Sequence, residues 1–162
     1  MNRRQVLAVA TIGVVGPTAG CLDLIFGEDY TIPDGMEVNV RYGERVLEDG
    51  LSETGTNPYH TLITDRATAE DQLLTGTPLG GTFAENTEFP DEFLVVVEYG
   101  ASSDFDLKLI EIERMNGTLQ ITLSEGAPDG EHVDDMAVHS ALIQITDEQE
   151  GVPDEVMVEV TK

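Results

Sequence analysis

The sequence contains a single cysteine, Cys21, and no tryptophan among its 162 residues. A lone cysteine excludes an internal disulfide bond as a source of stability. Only nine aromatic residues are present, which disfavours a sugar-binding surface of stacked rings, although Tyr42, Tyr59 and Tyr99 are candidates for one. The longest uncharged apolar run, near the N-terminus, is shorter than the roughly 20 residues that a membrane-spanning helix requires.

Basic residues are equally scarce. Eight lysines and arginines stand against 32 acidic residues, and the net charge is −24 at pH 7. Nucleic-acid binding requires clustered Lys and Arg side chains for phosphate contacts, so we exclude DNA and RNA as partners. The acids are spread along the chain rather than grouped in a tail, which predicts a solvated acidic surface. Cation binding or a basic partner is the alternative interpretation of this charge.

The common catalytic and nucleotide-binding motifs are also missing. The sequence has no G-x-S-x-G nucleophile motif, no G-x-G-x-x-G and no phosphate-binding Walker loop. We therefore predict no catalytic residue, no nucleotide and no cofactor. Carboxylates are so frequent that any fold would bring some together, and a glycosidase pair cannot be recognised among them. A small hydrolase that uses carboxylates or a bound cation remains the alternative.

The N-terminus has the features of an export signal. Arg3 and Arg4 precede an uncharged apolar stretch over 6–16, and small residues lead up to Cys21. The paired arginines resemble the twin-arginine signal, and the residues around Cys21 resemble a lipobox, whose cysteine receives the lipid. We expect residues 1–20 to be removed and Cys21 to anchor the protein to the outer face of the cytoplasmic membrane. An ordinary signal with a buried cysteine is the alternative.

Cleavage at that site leaves a short tether over 21–34 and one domain over 35–162, a length that suits a single core. Its six basic residues include only two lysines, Lys108 and Lys162. At about 1 M salt the Debye length falls to roughly 3 Å, which removes most of the self-repulsion of such an acidic chain. This composition, together with the export signal, resembles the lipoproteins of halophilic archaea.

The fold prediction follows from alternating apolar residues. Period-two patterns or short β-branched runs bounded by turn residues indicate strands. About seven such segments are present, at 36–42, 59–63, 93–97, 105–112, 119–123, 141–145 and 156–160. They predict an all-β, mainly antiparallel domain, either a sandwich or an open barrel. The uninterrupted apolar run at 93–97 predicts a central strand covered on both faces.

Three local features refine this prediction. One short helix is expected near 65–74, capped by Asp65 or Thr64, as the only helix of the domain, with mostly loop over 76–91. The alternation changes phase near Leu109 and Ile110, which predicts a β-bulge. Asn116 and Gly117 lie between two alternating runs and predict a type I′ hairpin turn.

Few side chains stand out as sites. We expect His60 and His139 to be solvent-facing strand residues, because their spacing matches no short zinc motif. The loop around His132 is the part of the chain richest in oxygen ligands for a hard cation, although its spacing is not that of an EF-hand. The candidate ligands there are Asp129, Glu131, Asp134 and Asp135. Asn116 also begins an N-x-T sequon, for which the turn itself is the simpler role.

Residues 59–146 resemble the PrcB-like domain, a small β-rich domain of exported proteins. The resemblance lies in the layout: a strand leading into a helix at 61–73, the strand 93–97 with Gly100, the hairpin to 119–123, a loop at Pro128 and the strand 142–145. It implies a non-catalytic domain that binds or stabilises a partner protein.

We therefore expect a membrane-anchored, extracellular β domain with a binding or accessory role that supports another envelope protein. An exposed sheet edge, or the segments 76–92 and 125–136, would form the contact surface. A structural component of the envelope is a third hypothesis, which requires self-association and an apolar surface patch.

The acidic composition yields a direct test. Raising KCl from about 0.1 M to about 1 M shortens the Debye length from about 10 Å to about 3 Å, so the urea midpoint should rise. Sucrose at matched osmolality, which screens no charge, should raise it less. An equal response to KCl and sucrose would contradict the role assigned to self-repulsion.

Overall fold

A computed structural model describes residues 30–51, 57–126 and 135–162. Within them the chain forms seven strands and two helices, most of the strands being antiparallel, as predicted. The strands are β1 (Met36–Glu44), β2 (Tyr59–Ile63), β3 (Glu92–Ser102), β4 (Asp106–Met115), β5 (Thr118–Gly126), β6 (Met136–Asp147) and β7 (Glu155–Thr161), and the helices are α1 (Arg66–Gln72) and α2 (Pro78–Asn86). The predicted export signal, Arg3, Arg4 and Cys21 lie outside the described residues.

The strands form two sheets with a shared core, an arrangement of the sandwich kind rather than an open barrel. Sheet I has the order β1-β6-β3-β2, and sheet II has the order β4-β5-β7. All pairs within them are antiparallel except β5 with β7, which run parallel. The inner faces of both sheets supply one apolar cluster, and the other face of sheet I packs against both helices in a second cluster. Sheet I is therefore the middle layer of the domain.

Strand β3 is the central element of this middle layer. Its residues from Phe93 to Ala101 are all buried. Phe93, Val95 and Val97 belong to the cluster between the sheets, while Leu94 and Val96 belong to the cluster under the helices. The prediction of a strand covered on both faces is confirmed, since a side-chain period of two divides its apolar residues between two cores.

The two predictions about β4 and β5 are also confirmed. The pairing register shifts between Leu109 and Glu111, which leaves Ile110 exposed at the bulge. Asn116 and Gly117 have φ angles of 51° and 85°, as a type I′ turn requires of both central residues. A Cβ on Gly117 would lie 2.8 Å from a carboxylate oxygen of Asp154, so glycine suits this position on two grounds.

Helix α1 begins where the sequence predicts it. The Asp65 carboxylate accepts hydrogen bonds from the backbone N–H and the hydroxyl of Thr68, at 2.9 and 2.7 Å. These two bonds hold the pKa of Asp65 below its ordinary value, because they favour the charged carboxylate.

The prediction that α1 is the only helix is wrong, because α2 occupies the middle of the segment expected to be loop. Thr77 caps its first turn by accepting the Gly80 N–H, and Pro78 stands at the start, where a missing N–H costs nothing. Glycine is suited to position 80, because the backbone of Leu74 passes so close that a Cβ there would lie 2.5 Å from the Leu74 carbonyl oxygen. At the other end, the Arg66 guanidinium donates to the carbonyls of Ala84 and Thr87.

The most unusual polar group of the fold is the carboxyl group of Glu98 on β3, which is completely buried on the helical side of sheet I. It accepts three backbone N–H bonds, from Val46 and Leu47 at 3.0 and 2.9 Å and from Leu51 at 2.8 Å. Gly50 completes the enclosure, because any Cβ there would overlap the carboxylate. Glu98 therefore fixes the segment 46–51 against the middle layer.

The same segment holds α1 in place. Leu74 donates its N–H to the Val46 carbonyl at 2.7 Å, and Glu48 donates to the Gln72 carbonyl at 2.9 Å. Val46 and Leu47 are themselves buried among the apolar residues under the helices. Glu98 is thus linked through one short loop to the helical layer.

Glu98→Gln should lower the free energy of unfolding by about 2 kcal/mol. The amide NH₂ of the variant would face a buried backbone N–H that in the wild type donates to a carboxylate oxygen. Urea unfolding in concentrated KCl measures the loss. Glu37→Gln is the control, since Glu37 is exposed on β1 and undergoes the same chemical change. Equal midpoints for the two variants would refute the role assigned to Glu98.

Candidate functional site

The candidate site is a cleft of about 450 Å³ where β1 ends and β4 begins. It lies at one end of the sandwich, on the side where the β1 edge of sheet I faces the β4 edge of sheet II. Its volume is in the range typical of small-ligand sites. The residues that line it are Tyr42, Gly43, Glu44, Ser103, Phe105, Asp106, Leu107, Lys108, His139 and Ser140.

The chain itself bridges the two strand edges below the cleft. Thr31 donates its N–H to the Ile110 carbonyl at 3.0 Å and accepts the Ile112 N–H at 2.8 Å, so it extends sheet II at β4. The neighbouring Tyr30 hydroxyl donates to the Val38 carbonyl on β1. Residues 30 and 31 therefore connect the two sheets by hydrogen bonds to main-chain groups.

Tyr42 forms the floor of the cleft. Its hydroxyl accepts the Leu109 N–H at 2.8 Å, across the space between β1 and β4. Because β4 is the edge of its sheet, the Leu109 N–H has no neighbouring strand of that sheet to accept it, and the Tyr42 hydroxyl supplies the acceptor instead.

Main-chain groups of both edges point into the space above Tyr42. The Leu109 N–H faces β1, so the period of two along β4 directs the N–H and carbonyl of Leu107 to the same side. On β1, the Val38 and Val40 carbonyls accept hydrogen bonds from the side chains of Tyr30 and Arg41, and the period of two places the N–H and carbonyl of Glu44 on the same edge. The cleft is therefore walled by two strand edges.

Charged side chains surround its mouth. Glu44 lies directly opposite His139 in the β1–β6 pairing, and Asp106 and Lys108 are exposed on β4. None of Glu44, Asp106 and Lys108 was singled out from the sequence. The sequence contained one signal for this site, Lys108, which is a rare lysine within an alternating strand. The proximity of Glu44 and Asp106 to the cleft gives no such signal, because it depends on how the strands pair.

The expectation that His60 and His139 face solvent is wrong, since both are half-buried. Each lies opposite a residue of the inner face, His60 opposite Val97 and His139 opposite Tyr99. A ring nitrogen of His60 lies 2.9 Å from the Val156 carbonyl oxygen, and one of His139 lies 2.9 Å from that of Ser102. His60 therefore links the β2 edge of sheet I to β7, and His139 contributes to the cleft.

The three candidate tyrosines do not form a common stacking surface. Tyr42 packs against the core between the sheets, and Tyr59 lies opposite Glu98 on the helical side of sheet I. Tyr99 is buried between the sheets and donates its hydroxyl to Glu125. Burial, and then the bond to Glu125, raises the pKa of Tyr99 above 10.0, so the fold favours the neutral phenol and loses this contribution as the pH rises above 10.

The predicted cation ligands Asp129, Glu131 and Asp134 lie outside the described residues, as does His132. Asp135 is described, and it is exposed and holds Ser103 through hydrogen bonds from the Ser103 N–H and hydroxyl. Over 30–51, 57–126 and 135–162, no three His, Cys, Asp or Glu side chains are grouped so as to hold a metal ion.

Asn116 is exposed in the hairpin turn, and its glycosylation stays a prediction.

The described arginines mainly serve main-chain carbonyls. Arg41, Arg45 and Arg66 donate to carbonyls of Val40, Leu47 and Ala84, respectively. Arg114 donates to the Gly151 carbonyl and pairs with Glu150 at 3.1 Å, while its side chain is almost fully buried. These arginines therefore bond to groups within the fold, whereas the exposed Lys108 is accessible to a ligand.

Tyr42→Phe should lower the free energy of unfolding by about 1–2 kcal/mol, because the Leu109 N–H loses its acceptor. Tyr59→Phe makes the same chemical change at a side chain that is 41% exposed and should be nearly neutral. Urea unfolding of both variants tests the floor of the cleft, and a Tyr42→Phe midpoint equal to the wild-type value would contradict this assignment.

Comparison with known proteins supplies no relative: no protein family matches the chain, and no curated protein or solved structure is significantly similar to it. Within the described residues, neither helix is long and apolar enough to cross a membrane.

Proposed function

We propose that this protein is exported, anchored to the outer face of the membrane through a lipid on Cys21, and binds an extended segment of another envelope protein in the cleft between β1 and β4. The bound segment adds to the exposed strand edges, and the protein performs no chemistry on it. This role agrees with the one that the resemblance to the PrcB-like domain implies.

The observation that carries the proposal is the pair of facing edges at Glu44 and Leu107. Exposed strand edges present a row of main-chain donors and acceptors, and an extended peptide can satisfy them by adding as a further strand. Thr31 already extends β4 in this way just below the cleft, through two main-chain hydrogen bonds. A segment of a partner would use the same type of bond one step further along β4.

The lining offers side-chain specificity in addition to main-chain bonds. Phe105 and Leu107 give the cleft an apolar part, while Lys108 and the carboxylates of Glu44 and Asp106 stand at its mouth. A segment with alternating apolar and charged side chains matches this division, because successive side chains of a strand point to opposite sides.

A small hydrolase is the second candidate, and the pairing of Glu44 with His139 is the observation that favours it. A general base needs a ring nitrogen directed at the reacting group. One nitrogen of His139 is already occupied by the Ser102 carbonyl, an interaction that orients the ring. We prefer the binding role because the two strand edges that wall the cleft suit an extended peptide, and no catalysed reaction is needed to explain them.

Glu44→Pro tests the binding role, because proline removes one cleft-facing N–H at a position where β1 has no further strand beside it. Glu44→Ala is the matched control, since it removes the carboxylate and retains the N–H. Each variant, with its lipid anchor, is used for affinity capture from native membranes at high salt, and the captured proteins are quantified by mass spectrometry.

The proposal expects a stoichiometric partner with the wild type and with Glu44→Ala, and at least a tenfold loss with Glu44→Pro, equivalent to about 1.4 kcal/mol. A partner retained by the proline variant would place the contact elsewhere. The absence of any stoichiometric partner would contradict the binding role itself.

A further inference from the structure

We propose that two copies of this chain pair through the outward edge of β7, in an antiparallel register centred on Val158. This edge belongs to sheet II and lies on the side opposite to β4 and the cleft. The pairing joins the three-stranded sheet II of one copy to that of the other in a single continuous sheet.

The main-chain groups of three β7 residues point away from β5. The Val156 carbonyl oxygen lies 2.9 Å from a ring nitrogen of His60, which is on the edge strand β2 of the other sheet. This carbonyl therefore faces outward, and the period of two along a strand gives the N–H and carbonyl groups of Val158 and Val160 the same direction. A carbonyl oxygen has two lone pairs, so that of Val156 can accept a second hydrogen bond.

Strand β7 is regular and unprotected for an edge strand. Lysine, proline and bulges are common protections against pairing with another copy. In β7, seven residues pair with β5 without a register shift, and none of them is lysine or proline. The edge of β4, in contrast, is interrupted by its bulge and by Thr31. The edge of β7 is therefore suited to pairing with a further strand.

The order of side chains along β7 is complementary to itself. Val158 is the middle residue of the strand, so the centred register pairs β7 with its copy over the whole length. Glu155 then lies opposite Thr161 of the second copy, and Glu159 lies opposite Met157 of the second copy. No acid of one β7 faces an acid of the other, which is essential for self-association of a chain with a net charge of −24.

The same register covers apolar surface. Val158 and Val160 pack against the core between the sheets and are only half-buried at this edge. In the pair, Val160 meets Val156 of the second copy and Val158 meets its own counterpart, and such β-branched pairs stabilise adjacent strands. Met157 is 54% exposed on the other face, where it lies beside Glu159 of the second copy.

Charge substitutions at Met157 test this register, because the symmetric pair contains the contact between positions 157 and 159 twice. Met157→Glu places like charges opposite each other, and Met157→Lys places opposite charges there. Met115→Glu and Met115→Lys are the controls, since Met115 is 55% exposed at the end of β4 and the same charge is added outside the paired edge. Sedimentation equilibrium of the full chain carrying Cys21→Ser gives the dissociation constant of each dimer.

The wild type should form dimers in about 1 M KCl and weaker dimers in about 0.1 M KCl, because salt screens the repulsion between the two acidic copies. In about 1 M KCl the dissociation constant of Met157→Glu should exceed that of Met157→Lys at least about fivefold, while the two Met115 variants should differ by less than about twofold. A wild type that stays monomeric in about 1 M KCl, or equal differences at positions 157 and 115, would overturn the inference.

Discussion

The carboxyl group of Glu98 is the interaction on which the layered arrangement depends. It lies in the middle of the central strand and accepts three N–H bonds from a loop that contains almost no regular structure. A buried carboxyl group without hydrogen-bond partners destabilises the fold by more than the bonds themselves stabilise it, so the loop and the strand must form together. Through the bonds of Val46 and Glu48 to the end of α1, the same group determines where the helical layer rests on sheet I. That layer also covers the face of β3 and β6 opposite the core between the sheets.

A second constraint comes from charge. With 32 acids and eight basic residues, the chain has few cations with which to neutralise its surface. Its described arginines donate to main-chain carbonyls, and Arg114 also pairs with the buried Asp147 at 3.8 Å and the exposed Glu150 at 3.1 Å. The surface carboxylates therefore depend on salt for screening rather than on neighbouring side chains. This makes the position of Lys108 informative, since it is exposed and lines the cleft together with Glu44 and Asp106, on a surface with little other positive charge.

Much of the fold could be predicted because its determinants are local. The alternation along β1, β4 and β5, the Asn116–Gly117 turn and the Asp65 cap all lie within a few residues of what they specify. Helix α2 was not predicted because Gly80 and Gly81 suggest a loop, and the two glycines are explained by the close approach of Gly80 to the Leu74 carbonyl and of Gly81 to the Thr75 carbonyl. The parallel pairing of β5 with β7 and the three donors around Glu98 join distant parts of the chain. The cleft is of the same kind, since Glu44 on β1 and Leu107 on β4 line it from two different sheets, and no pattern in either strand reveals the other.

The central claim is that a partner adds to the strand edges at the cleft. Amide hydrogen exchange of the protein alone and with its captured partner, at high salt, tests this most directly. The account predicts that the amides of Glu44 and Leu107 become protected in the complex, while the outward edge of β7 exchanges as before. Protection confined to the helices or to β7, with Glu44 and Leu107 unchanged, would contradict it.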